Sequence, residues 1–169
     1  DFEENPHNLK WNLSLGDGFL FFTELQHETS IGNMPGRVKA GLYLHQHLTG
    51  ENNHSGIRDS LYRNNNGIYL LGEQQVWQEN QGNRNLGLFL QLGYTPKNIN
   101  SNYYYIGTGL NFAGLFNRHG NDIAGLAVAH CGMRGYPESE TSLELTYRFP
   151  VFTFLYLQPD VQYIINPAG

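Results

Sequence analysis

Hydrophobic and polar residues alternate with a period of two along most of this 169-residue chain. In "TSLELTYRF" (141–149), Leu143, Leu145, Tyr147 and Phe149 alternate with Ser142, Glu144, Thr146 and Arg148. In "NLGLFLQLGY", Leu86, Leu88, Leu90 and Leu92 oppose Gly87, Phe89, Gln91 and Gly93. In "RVKAGLYLHQHL", Val38, Ala40, Leu42 and Leu44 oppose Lys39, Gly41, Tyr43, His45 and His47. In "YYYIGTGLNFAG", Tyr104, Ile106, Leu110 and Phe112 oppose Gly107, Gly109, Asn111 and Ala113. The closing run "LYLQPDVQYIINPAG" sets Leu155, Leu157, Val161, Tyr163 and Ile165 against Gln158, Asp160, Gln162 and Asn166. Successive side chains of a strand point to opposite faces, so each run has one apolar and one hydrogen-bonding side. "GFLFFTELQHE" is less regular, with Phe and Leu on both parities before Glu24, Gln26 and Glu28 settle on one.

The pattern predicts strands at Leu9 to Leu15, Gly18 to Glu28, Arg37 to Leu48, Gly67 to Trp77, Leu86 to Tyr94, Tyr103 to Gly114, Asp122 to His130, Thr141 to Phe149, and Phe152 to Ile165. Turn chemistry separates them at "GDG" (16–18), "GNMPG" (32–36), "NRHGND" (117–122) and "GYPESE" (135–140), with longer polar loops at 49–66, 78–85 and 95–102. Alternating short and long connections suit an antiparallel up-and-down barrel with tight turns at one rim. No segment has helical periodicity, and no domain boundary stands out. A half-buried sheet in a soluble sandwich gives the same alternation. Two details favour a membrane barrel: several runs reach the 9–11 residues that cross a bilayer at a tilt, and Tyr69, Tyr94, Tyr103, Tyr104 and Tyr163 sit near strand ends, where interfacial girdles belong.

Composition agrees. Charged residues are only 15% against roughly 25% in ordinary soluble domains, while 14% are aromatic and there are twenty glycines and eleven tyrosines. The formal charge of −5 and the scattered Lys and Arg argue against nucleic acid as a partner. The single Cys131 excludes a disulfide framework within the chain. No stretch approaches the roughly 20 apolar residues of a membrane helix. The opening "DFEENPHN" is acidic and polar, unlike a signal peptide.

Several segments resemble the carbohydrate-selective porin family (OprB type) of Gram-negative outer membranes. "LQPDVQYIINPAG" (157–169) is close to that family's closing signature. "YIGTGLNFAGLFNRHGNDIAGLAVAH" (105–130) resembles its Gly-rich strand, turn and return strand, and "SETSLELTYRF" (139–149) its Glu-bearing strand. "GIYLLGEQQVW" (67–77) and "LGLFLQLGYTP", ending at Pro96, match its middle more loosely. The resemblance covers roughly residues 37–169. It implies an all-β, antiparallel up-and-down transmembrane β-barrel in the outer membrane of a Gram-negative bacterium. Such barrels have about sixteen strands, so residues 1–169 read as a single segment, the C-terminal portion of a porin domain, with about nine of them. Nine strands alone would leave two unpaired edges in lipid. The apolar parity then faces lipid and the polar parity an aqueous lumen.

On that lumen parity, Gln158, Asp160 and Gln162 stand roughly 7 Å apart along the strand, spaced to meet successive sugar hydroxyls or to form a wall network. Glu144 and Arg148 share a lumen face, and Arg118 and Asp122 flank a turn, giving either a transverse field or mutually satisfied pairs. Tyr43, Phe89 and Tyr156 are candidate platforms for sugar rings. Pro159 interrupts its strand, where a bulge would re-aim Gln158 and Asp160. His45 and His47 share a face at i, i+2, but no third ligand stands nearby, so no metal or other cofactor is expected. Ser142 or Ser139 with His130 lacks a nucleophile elbow, and Asp160 with Glu144 is explained by a porin interior.

The function implied is passive diffusion of small carbohydrates, without catalysis. The partners expected are small sugars, outer-membrane lipid and, in a homo-oligomer, further copies of the chain. A soluble carbohydrate-binding β-sandwich and an outer-membrane barrel enzyme are the alternatives.

Overall fold

A computed structural model describes residues 18–50, 60–116, 121–135 and 138–167. The expected strand Leu9 to Leu15, the site residue Arg118, and His54 and His119 lie outside them. Nine strands follow one another: β1 (Phe19–Ile31), β2 (Met34–Gly50), β3 (Ser60–Gln78), β4 (Asn85–Tyr94), β5 (Asn102–Ala113), β6 (Ile123–Met133), β7 (Ser139–Phe152), β8 (Leu155–Leu157) and β9 (Asp160–Ile165). Every pairing is antiparallel, and each strand up to β7 lies beside its sequence neighbours. β8 and β9 both run alongside β7. The result is one up-and-down sheet, an unclosed portion of a barrel wall.

The expected strands are present among the described residues, with two differences. The ends of the loop expected at 49–66 are strand, because β2 continues to Gly50 and β3 begins at Ser60, with 51–59 outside the described residues. The final strand, expected from Phe152, begins at Leu155 because Phe152 closes β7, and it is divided at Gln158 and Pro159. The bulge expected there is absent, since Phe149 opposes Leu157 and Thr146 opposes Asp160 in one unbroken register. Proline lacks the N–H for the return bond to Tyr147, yet its carbonyl still accepts from the Tyr147 N–H at 3.1 Å. The register shift lies instead between Pro150 and Phe152.

The first connection is a two-residue hairpin turn. Gly32 and Asn33 take φ of 59° and 63°, the left-handed pair whose twist matches that of the strands. Asn33→Ala should therefore lower stability by about 1 kcal/mol while Asn33→Gly should not, a difference readable in urea unfolding. Connections sharing that rim range from this pair to residues 114–122, so short and long do not sort by rim as the sequence suggested.

Burial is inverted relative to a water-soluble domain. Apolar side chains such as Ile68 (61%) and Leu145 (58%) are exposed, while Lys39, Tyr43, Gln91 and Glu144 on the other face are half-buried. Among the described residues Met133 alone is a buried hydrophobic side chain. No second layer covers the apolar face among those residues, as a soluble sandwich would require.

That face is bounded by aromatic residues. Tyr94 and Tyr104 stand side by side near one rim. Near the other, Trp77 stacks on Phe112 at 5.9 Å, and Tyr147 packs against Phe116 and Phe149. Eight residues separate Tyr104 from Phe112 on β5. That is about 27 Å along the strand, or about 21 Å of height at a tilt of about 40°, close to the roughly 25 Å apolar band of a membrane barrel. Two tyrosines expected in the girdles lie elsewhere: Tyr69 points to the polar face, and Tyr163 sits mid-strand opposite Leu143.

Candidate functional site

Cross-strand register assembles the polar face. Glu28, Arg37, Glu73, Phe89, Gly109, Ala127, Glu144 and Gln162 oppose one another in turn, one residue per strand line from β1 to β9. At about 4.8 Å per strand the row runs some 34 Å around the wall. Residues far apart in sequence thus share one belt.

The belt has three sectors. Over β1 to β3 it is charged: Arg37 Nε donates to Glu28 Oε1 at 3.0 Å, and Lys39 Nζ to Glu24 Oε1 at 3.2 Å. Tyr69 donates its hydroxyl to the second Glu24 oxygen at 2.5 Å, and its ring stacks on Phe22. Such pairs are accessible and add little net stability; they fix where the charges sit. Over β4 to β6 the polar face narrows to Gly, Ala and Asn, broken by Phe89, Gln91 and Tyr105. Over β7 to β9 it is acidic and amide-rich.

The third sector holds most of the residues singled out from sequence. Gln162 Nε2 donates to Glu144 Oε2 at 2.8 Å, and Gln158 Nε2 to Thr146 Oγ1 at 3.2 Å. The two amides reach across to β7 rather than forming a row with Asp160, which lies opposite Thr146. Arg148 does not pair with Glu144; its guanidinium lies over the Tyr156 ring, 5.3 Å from the centroid. Asp122 is set apart from the belt. It is buried (1% exposed) in the β5–β6 connection, where one carboxylate oxygen accepts the Phe116 N–H and the Tyr147 O–H, both at 2.9 Å.

Sequence reasoning missed two features. Tyr43 and Tyr69 lie reciprocally across Gly67 and Gly41, where the register places each ring against the other strand's glycine. The signal was present as Gly-x-Tyr in two neighbouring strands, at 41–43 and 67–69. At the rim carrying the β4–β5 connection, Tyr43, Asn65, Thr95 and Asn100 form a hydrogen-bonded cluster that draws residues 95–101 against β2 and β3. No local pattern announces it, because its members come from three separate segments, β2, β3 and the β4–β5 connection.

Among the described residues no group of three or more His, Cys, Asp or Glu side chains is arranged to hold a metal ion. His130 instead bridges Tyr104 and Thr141 through its two ring nitrogens at 2.9 and 2.8 Å, on the apolar face.

Comparison with known proteins adds three findings. The model of the carbohydrate-selective porin, OprB family, matches residues 1–169. The high-pH structure of Pseudomonas putida OprB superposes with a TM-score of 0.74 at 22% identity. That superposition covers 94% of this chain and 46% of the other, so the chain spans less than half the length of that relative. No curated protein matches significantly.

Proposed function

Because the chain belongs to the carbohydrate-selective porin, OprB family, we propose that it forms about half of the wall of an outer-membrane pore through which small neutral carbohydrates diffuse passively. The observation that carries this reading is the two-faced single layer: a charged and amide-bearing belt on one side, and on the other a girdled apolar band that none of the described residues covers. A sheet of that kind is satisfied by lipid outside and water inside. Family and fold are those of a channel, and the pore needs neither cofactor nor turnover.

In this reading the belt faces the lumen. Asp160, Glu144 and the flanking Gln158 and Gln162 offer acceptors and amide donors to passing hydroxyls. Arg148, seated on Tyr156, adds a fixed cation to an otherwise acidic sector. Many weak contacts suit a pore, which must release what it binds. Asp122 serves the turn rather than the solute.

Single-channel recording of the intact gene product in planar bilayers, with glucose and maltooligosaccharides titrated in, tests the proposal. Stable conductance that sugar blocks saturably supports it; conductance indifferent to sugar reduces the protein to a general porin. Asp160→Ala should weaken sugar block about three- to tenfold without closing the channel, the loss of about one ordinary hydrogen bond. Unchanged block would remove Asp160 from the path.

A further inference from the structure

Three aromatic rings on the polar face are candidates to meet a sugar, and their surroundings differ. Tyr43 lies on Gly67 with its hydroxyl engaged at the rim, and Tyr156 is covered by the Arg148 guanidinium. Phe89 has no ring or cation against it among the described residues. It is central in the belt, between Glu73 on β3 and Gly109 on β5. Gly109 explains how the ring lies down. A Cβ at that position would stand 2.7 Å from Phe89 Cε1 and collide with the Leu126 carbonyl oxygen, so any other residue would lift the ring off the wall.

Two hollows in the polar face meet at this ring. One, of about 580 Å³, is lined by Arg37, Glu73, Gln75, Asn111 and the shared pair Phe89 and Gln91. The other, of about 180 Å³, has Tyr105, Ser142 and Glu144 beside the same pair. The side chains of Glu73, Asn111 and Ser142 make no hydrogen bond among the described residues. Gln91 uses its carbonyl oxygen to accept from Tyr105 at 3.3 Å, which leaves its amide donors open. An apolar plate with open donors and acceptors on both sides complements a pyranose: axial C–H groups below, hydroxyls around the edge.

We infer that Phe89 is the specificity-determining platform of the pore, seating a neutral pyranose between the two hollows, with Glu73, Gln91 and Asn111 serving one edge and Ser142 and Glu144 the other. Anionic sugars are disfavoured there. Arg37, opposite Glu73 in register, is already paired with Glu28, and neither Glu73 nor Glu144 makes an ion pair among the described residues. The inference rests on the carbohydrate-pore reading and deepens it.

The test is sugar block of the intact gene product in planar bilayers. Phe89→Ala and the near-isosteric Phe89→Leu should each weaken glucose and maltose block roughly tenfold, whereas Phe89→Trp should keep it within about twofold. Each pore's sugar-free conductance confirms that it has folded. Glucuronate should block the wild-type pore at least roughly tenfold less well than glucose. Wild-type block that survives unchanged in both Phe89→Ala and Phe89→Leu overturns the platform and leaves the carbohydrate pore standing. Equal block by glucuronate overturns the preference for neutral sugars. Absence of block by any sugar in the wild type removes the underlying reading, and the platform with it.

Discussion

Leu90→Arg is expected to destabilise the folded protein by about 2–4 kcal/mol, while Gln91→Arg, one residue along, should change stability by less than about 1 kcal/mol. Leu90 stands on the apolar face midway along β4, four residues from Tyr94 and four from Leu86. Its register neighbours there are Thr108 and, beyond it, Val128. A guanidinium at that depth must be dragged to an interface or left unsolvated in hydrocarbon. Gln91 points to the polar face beside Tyr105 and the hollows around Phe89, where water solvates a new charge. Reversible urea unfolding from lipid vesicles measures both. Equal destabilisation by the two substitutions would mean that the faces have been assigned wrongly.

Asp122→Ala should cost about 2–4 kcal/mol, because it strips a buried acceptor from two donors at once. The Phe116 N–H and the Tyr147 hydroxyl would be left facing an apolar methyl, and the packing of Phe116 edge-on against Tyr147 would loosen with them. Asp122→Asn, which keeps one carbonyl oxygen, should fall between. Vesicle unfolding gives the size of the loss, and sugar block in bilayers separates a clasp from a lumen group. A variant that loses stability but binds sugar normally fits the clasp; one that is fully stable but poorly blocked would place Asp122 in the conduction path.

Much of the architecture is legible in the sequence because strand alternation is a local property. Which residues share a face follows from parity alone, so "TSLELTYRF" and "NLGLFLQLGY" declared their apolar and polar sides, while strand length and the family resemblance favoured a barrel over a sandwich. The resemblance carried by "LQPDVQYIINPAG" added the family, which the family model then matched over residues 1–169. Pro159 correctly marked a break in hydrogen bonding.

The contacts of the site were a different matter. Parity places Gln158, Asp160 and Gln162 on one face, but the partner of each is set by register with β7, and that register sends two of the three to Thr146 and Glu144. The same holds for Arg148, four residues from Glu144 in sequence and yet seated on Tyr156 from the next strand line. Phe89 is set apart from Tyr43 and Tyr156 by its cross-strand surroundings, since the Tyr43 hydroxyl is engaged at the rim, Arg148 covers Tyr156, and two hollows meet at Phe89. Register depends on turns such as Gly32–Asn33 and on shifts between Gln75 and Trp77, Asn102 and Tyr104, and Pro150 and Phe152. A slip of one residue at any of them exchanges the faces of every residue beyond. By itself the sequence determined two faces and a family. Which side chains meet across the strands was decided only by the tertiary structure, because cross-strand neighbours come from segments whose alignment no single strand encodes.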